Sequence, residues 1–226
     1  MADSKLYIIG EGIVGAAAVF FSIVLSPLLR RWYSWWGATE AEVHASMPGD
    51  ELAPRPKSEI TLAITIQAPA DRVWPWYIQL GCQRGGWYSY DLLDNGGVPS
   101  ADHIIPEYQQ VKVGDEVWGT PDGKLRFPVA IVEPGRALVL GGTMNTRTGK
   151  SADPNDPGLD AYYSGDQSWL LSPLDDRTTR LVFRNRTDWN PSLLNTLVWR
   201  VMLEPISFVM GRKMLLNIKR RAEAQQ

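Results

Sequence analysis

Eight consecutive residues, Arg84-Gly85-Gly86-Trp87-Tyr88-Ser89-Tyr90-Asp91, concentrate more chemistry than any other stretch of the chain. They hold a guanidinium, an indole, three hydroxyls and a carboxylate, a set able to orient a carbonyl or hydroxyl of a ligand at a cavity mouth. Asp91 is a candidate general base and Tyr88 a candidate acid, while packing would give the same residues a tight glycine turn and an Arg84–Asp91 pair. A second cluster, Ser100-Ala101-Asp102-His103-Ile104-Ile105-Pro106-Glu107, is where a histidine stands beside carboxylates, and His103 is a candidate proton shuttle. Neighbouring residues rarely face one ion, so the cluster is not a metal site. The aspartates at 153, 156, 160 and 166 lack EF-hand spacing and read as turn formers.

Composition narrows the function classes. The 226 residues carry 23 basic and 25 acidic side chains, a net charge of −2, which excludes a polybasic nucleic-acid binder. A single cysteine, Cys82, excludes an intrachain disulfide, weakly favours a reducing compartment, and leaves no Cys-rich zinc site. No cofactor is called for. Ten tryptophans, eight tyrosines and five phenylalanines suit a lined cavity or a membrane interface. Trp74, Tyr77, Arg84, Trp87, Tyr88, Tyr90, Asp91, Trp118 and Trp169 are the expected lining residues.

Three segments must position these groups. Residues 6–29, LYIIGEGIVGAAAVFFSIVLSPLL, carry one charge, Glu11, and as a helix would reach roughly 36 Å, enough for a bilayer core. Arg30, Arg31 and the aromatics Trp32, Tyr33, Trp35 and Trp36 follow where an interface belt would lie. Small residues suited to signal cleavage are missing at that boundary. The expectation is a transmembrane anchor over 1–36, passing once through the cell membrane, with the C-terminal domain cytoplasmic because Arg30 and Arg31 outweigh Lys5. Residues 37–57, rich in proline and small residues, read as a linker that can lie on the domain surface.

From Ser58 the hydrophobic period is two, with Ile60, Leu62, Ile64 and Ile66 alternating with polar or small residues, as in a half-buried strand. A helix capped by Asp71, with Pro75 in its first turn, and a second short helix within 85–97 come next. Strands are expected over 111–120, 125–132, 136–142, 167–174 and 180–186, joined by turns such as Glu133-Pro134-Gly135. Residues 143–165 read as a polar loop, with the length of a lid. A helix over 191–224 should kink or break at Pro205. The result is an α+β domain over 58–226, a curved antiparallel sheet wrapped around a long C-terminal helix. The face presented by Arg184 and Arg186 is ambiguous from alternation. A basic stretch at 212–223 can rest on an anionic leaflet or be a solvated helix face.

The order ITLAITIQAPADRVWPWYIQLG, RGGWYSYDLLDN, SADHIIPEYQQVKVGDEV, EPGRALVL and FVMGRKMLLNIKRRAE resembles bacterial SRPBCC-superfamily proteins, the START-like or polyketide cyclase/dehydrase group, over residues 36–223. The resemblance implies a helix-grip fold with a hydrophobic cavity between sheet and C-terminal helix. Two positions depart from the pattern, His103 where relatives carry arginine and Ile206-Ser207 where they read Gly-His. The expected function is binding of a hydrophobic small molecule or lipid beside a membrane. The alternative is a cyclase or dehydratase acting on a hydrophobic carbonyl compound.

Overall fold

The computed structural model describes residues 2–148, 150–154 and 156–224. Helix α1 (Ala2–Ser34) is followed by α2 (Glu40–His44), β1 (Ser58–Ile66), α3 (Ala70–Ile78), α4 (Asp91–Asp94), β2 (Glu116–Trp118), β3 (Arg126–Glu133), β4 (Ala137–Asn145), β5 (Lys150–Ser151), β6 (Tyr162–Asp175) and β7 (Thr178–Trp189). A last helical run comprises α5 (Leu193–Thr196), π-helical turns over Leu197–Leu203, and α6 (Glu204–Ala224). The sheet has seven antiparallel strands in the order β1-β7-β6-β4-β3-β2, with β5 on β4. It curves around α6 in the helix-grip arrangement.

Alternation decides which side chains meet α6. On β7, Leu181 and Phe183 enter the core, as do Trp169 and Leu171 on β6 and Ile60, Leu62 and Ile66 on β1. Helix α6 answers with Phe208, Met214, Leu215 and Ile218, all buried. Gly211 lets the helix approach closely, since a Cβ there would stand 3.0 Å from the Phe183 ring and 3.1 Å from Leu62.

Several local expectations change. The first domain helix begins at Ala70 with Pro69 as its N-cap, so Asp71 lies in the first turn and Pro75 inside the helix. Pro205 does not break the last helical run, which is continuous from Leu193 to Ala224; it is the second residue of α6, directly after the π turns. The loop expected over 143–165 is shorter than that, because β4 runs on to Asn145 and β6 starts at Tyr162.

The outer face of the sheet is covered by residues 37–57. Arg184 is buried there, donating to the carbonyls of Glu42, Val43 and Ala45 and to the carboxylate of Asp50. Arg180 pairs with Glu42 and Arg186 with Asp50. Burial of Arg184 therefore reflects a structural clamp on this segment, away from the concave side.

Helix α1 lies against the domain. Glu204 of α6, with its side chain 1% exposed, accepts from Arg30 Nε at 2.7 Å, Tyr33 Oη at 2.9 Å and Ser58 Oγ at 2.5 Å. Tyr33 also stacks on Phe208, with centroids 5.4 Å apart. Nearer the N-terminus Glu11 pairs with Lys213 at 2.6 Å, and Gly12 and Gly15 press on Leu92 and Tyr90 so closely that added Cβ atoms would stand 2.3 and 2.6 Å from them. The opposite side of α1, including Leu6, Ile13, Phe20, Phe21, Val24 and Leu28, is exposed. Residues 5–34 and 193–224 are both long and apolar enough to cross a membrane by length and composition.

Candidate functional site

Between the concave face and α6 lies a cavity of about 330 Å³. Its apolar walls come from Trp87, Leu93 and Leu125, from Phe127 of β3 and Phe183 of β7, and from Ile206, Met210 and Met214 of α6. The spacing of four residues puts those last three on one helix face. A second lobe of about 280 Å³ shares Leu125, Phe127, Gln167, Asn185 and Ser207 with the first. It ends on a stack in which Trp199 lies 4.6 Å from Tyr163 and 6.0 Å from Trp189. Met144 and Thr146, at the end of β4, border this second lobe.

Few polar groups interrupt the apolar wall. Asn185 donates from Nδ2 to the carbonyl of Asp166 at 2.7 Å, which fixes its amide. Asp94, the last residue of α4, reaches the first lobe with its Oδ1 buried and lacking a hydrogen-bond partner among the described residues. Burial, and then the charge of Asp91, pushes the Asp94 carboxyl up to about 7. The Cys82 thiol donates to the Asp94 carbonyl at 3.2 Å, and burial pushes that thiol up, which keeps it protonated and poorly nucleophilic.

Of the expected lining residues, Trp87 is in the cavity wall, edge-on to Phe127 at 6.1 Å. The others serve the scaffold around it. Tyr88 takes a left-handed backbone (φ 54°), accepts at Oη from Gln79 Nε2 at 2.5 Å, and lies under the Arg221 guanidinium at 4.7 Å. Burial and these neighbours leave its hydroxyl at about 12, too weak an acid for proton transfer near neutrality. Asp91 is occupied by the Ser100 backbone N–H at 2.9 Å and hydroxyl at 2.5 Å. Arg84 donates to the carbonyls of Ile78 and Tyr108 and does not pair with Asp91. Tyr90 packs on Gly15 of α1 with Lys213 above its ring. Trp74 is half-buried edge-on to Tyr77, whose own ring is fully buried. Trp118 lies beneath Arg126, and Trp169 is buried against Phe183, behind the wall. His103 is exposed and bonded to Asp102.

The basic C-terminal stretch is largely committed to the protein. Arg212 covers Trp36, Lys213 pairs with Glu11, Lys219 with Glu223, and Arg221 donates to the Ala101 carbonyl.

No family model matches the chain, and no curated protein matches it. Among solved structures it is similar to a protein of Nitrosomonas europaea at 13% identity and a TM-score of 0.44, covering 80% of this chain and 100% of that one. A protein of Arthrobacter aurescens is 14% identical, with a TM-score of 0.40 and coverage of 80% and 92%. The di-domain ARO/CYC BexL of the BE-7585A biosynthetic pathway is 14% identical, with a TM-score of 0.40, over 74% of this chain and 46% of that one.

Proposed function

We propose that the protein binds a hydrophobic small molecule or lipid in the cavity between the sheet and α6, and that residues 6–29 fasten the domain to a membrane. The observation that carries the proposal is the cavity itself: two adjoining lobes with apolar and aromatic walls and few polar groups, the usual construction of a small-molecule site. Attachment to a membrane would let it take up a ligand that water does not carry. The anchor crosses the cell membrane once, with the domain on the cytoplasmic side that Arg30 and Arg31 select. In crossing, the first half of α1 leaves the domain surface and gives up the Glu11–Lys213 pair.

Native mass spectrometry of the full chain purified from its own host tests the binding. A co-purified apolar ligand is expected. Trp87→Ala should lower its occupancy by more than it lowers the thermal midpoint. A large loss of stability with unchanged occupancy would make Trp87 packing only, and a ligand-free protein that binds no apolar compound would end the proposal.

The second reading, a cyclase or dehydratase acting on a hydrophobic carbonyl compound, is favoured by one observation: a carboxyl in the cavity wall whose Oδ1 has no hydrogen-bond partner among the described residues. It would draw on Asp94, because Asp91 and Tyr88 are tied into the scaffold and His103 is exposed.

A further inference from the structure

Polar side-chain groups in the wall of the first lobe are open to an occupant. Asp94 Oδ1 and Trp87 Nε1 are buried without a hydrogen-bond partner among the described residues, and the half-buried Gln167 of β6 lines the same lobe. A buried polar atom without a partner is unfavourable, so the natural partner of Asp94 Oδ1 is a polar atom of the occupant.

The charges around Asp94 decide what that atom is. Among the described residues no lysine, arginine or histidine contributes to the wall of this lobe. Asp91 on the same helix adds negative charge, the Cys82 thiol beside it is neutral, and α6 presents only Ile206, Met210 and Met214 with Ser207 and Gly211. On the neighbouring turn Lys124 is taken by Asp122, and on α1 Glu11 is taken by Lys213. A carboxyl in that setting keeps its proton up to about pH 7, and the neutral acid is a donor. We propose that Asp94 is the group by which the cavity recognises a carbonyl-bearing apolar ligand, donating its hydrogen bond to the carbonyl oxygen. Gln167, on the opposing sheet wall, supplies a further amide hydrogen bond to the same ligand. The inference rests on the binding function proposed above and adds the chemical class of the ligand.

The test uses the full chain in a mild detergent and three photoreactive diazirine probes of equal chain length: a long-chain methyl ketone, the corresponding alkane and the corresponding primary amine. Labelling of the Phe127 and Met210–Met214 peptides, mapped by mass spectrometry, reports occupancy of the cavity independently of the micelle. The ketone should label these peptides about tenfold more tightly at pH 5.5 than at pH 8.5, and the alkane equally at both, since the donor is lost on ionisation. Asp94→Asn should keep ketone labelling and lose its pH dependence, because the amide still donates. Asp94→Leu should erase the preference for ketone over alkane, with Asp94→Asn deciding the matter if the leucine variant does not fold. An unchanged pH profile in Asp94→Asn would overturn the inference while leaving cavity binding intact. Amine labelling that strengthens at high pH would also overturn it, by making Asp94 a counter-ion. Absence of all labelling, the alkane included, would remove the binding function and this inference together.

Discussion

The Arg30–Glu204 pair allows a quantitative test of how α1 is held. Glu204 is buried and accepts four hydrogen bonds: two from the Arg30 guanidinium, at 2.7 and 3.1 Å, and one each from Tyr33 and Ser58. Replacing Arg30 by methionine strands a carboxylate that keeps only the two hydroxyl bonds. Stranding one member of a buried pair costs about 3–5 kcal/mol. Arg30 is itself 39% exposed, so water can enter in its place and the lower end, about 3 kcal/mol, is expected. Glu204→Leu should cost a similar amount, because the Tyr33 and Ser58 hydroxyls then lack an acceptor and Arg30 lacks its charge partner. The double variant Arg30→Met, Glu204→Leu removes both charges and should cost about 2 kcal/mol, well short of the sum. Urea unfolding of the full chain in mild detergent, followed by tryptophan fluorescence, would measure all four corners of this cycle. A coupling energy below about 0.5 kcal/mol would refute the claim that this pair fastens α1 to the domain.

Asp166, buried under residues 45–52, has its carboxyl pushed up to about 7, chiefly by burial. The folded state therefore keeps a proton that the unfolded chain loses near pH 4. Stability falls as pH rises from about 4 to about 7, by on the order of 4 kcal/mol at about 1.4 kcal/mol for each pKa unit. Asp166→Asn should remove this share of the slope, and unfolding curves of variant and parent that stay parallel across the window would show that Asp166 does not titrate there. For the anchor, a cysteine placed at Lys5 should react with a membrane-impermeant maleimide on intact cells if α1 crosses the bilayer. Labelling that requires lysis would show that the N-terminus stays on the domain's side.

The sheet and its central helix were legible because both rest on period. Alternation at Ile60, Leu62, Ile64 and Ile66, and apolar spacing through Phe208, Met214, Leu215 and Ile218, reflect burial that leaves no alternative register. The candidate site was less legible, for an identifiable reason. A cluster rich in hydrogen-bonding groups looks functional in sequence, yet in this fold Tyr88, Asp91 and Arg84 spend those groups on Gln79, on Ser100 and on the Ile78 and Tyr108 carbonyls, and Trp87 alone among the expected residues reaches the cavity. The residues that form the rest of the wall lie far apart in the chain and are individually ordinary. A usable signal existed on the strands, where Gln167 is in phase with Trp169 and Leu171, and Asn185 with Phe183 and Leu181: polar residues on an apolar face. Asp94 gave no comparable signal, because its significance comes from neighbours supplied by β7 and α6.

The contacts of α1 also separate into two kinds. At its C-terminal end, Arg30 and Tyr33 meet Glu204 and Phe208, contacts that a helix leaving the domain at a membrane boundary can retain. At its N-terminal end, Glu11, Gly12 and Gly15 meet Lys213, Leu92 and Tyr90, contacts that a helix crossing the bilayer cannot make. The second set presses on the element that begins at Asp91 and ends at Asp94, where Leu93 and Asp94 form part of the first lobe. Removing α1 from this position would expose the flank of that short helix, which is held by Asp91–Ser100, by the Cys82 thiol on the Asp94 carbonyl and by α1 itself. The N-terminal half of α1 thus bears on the wall that carries Asp94.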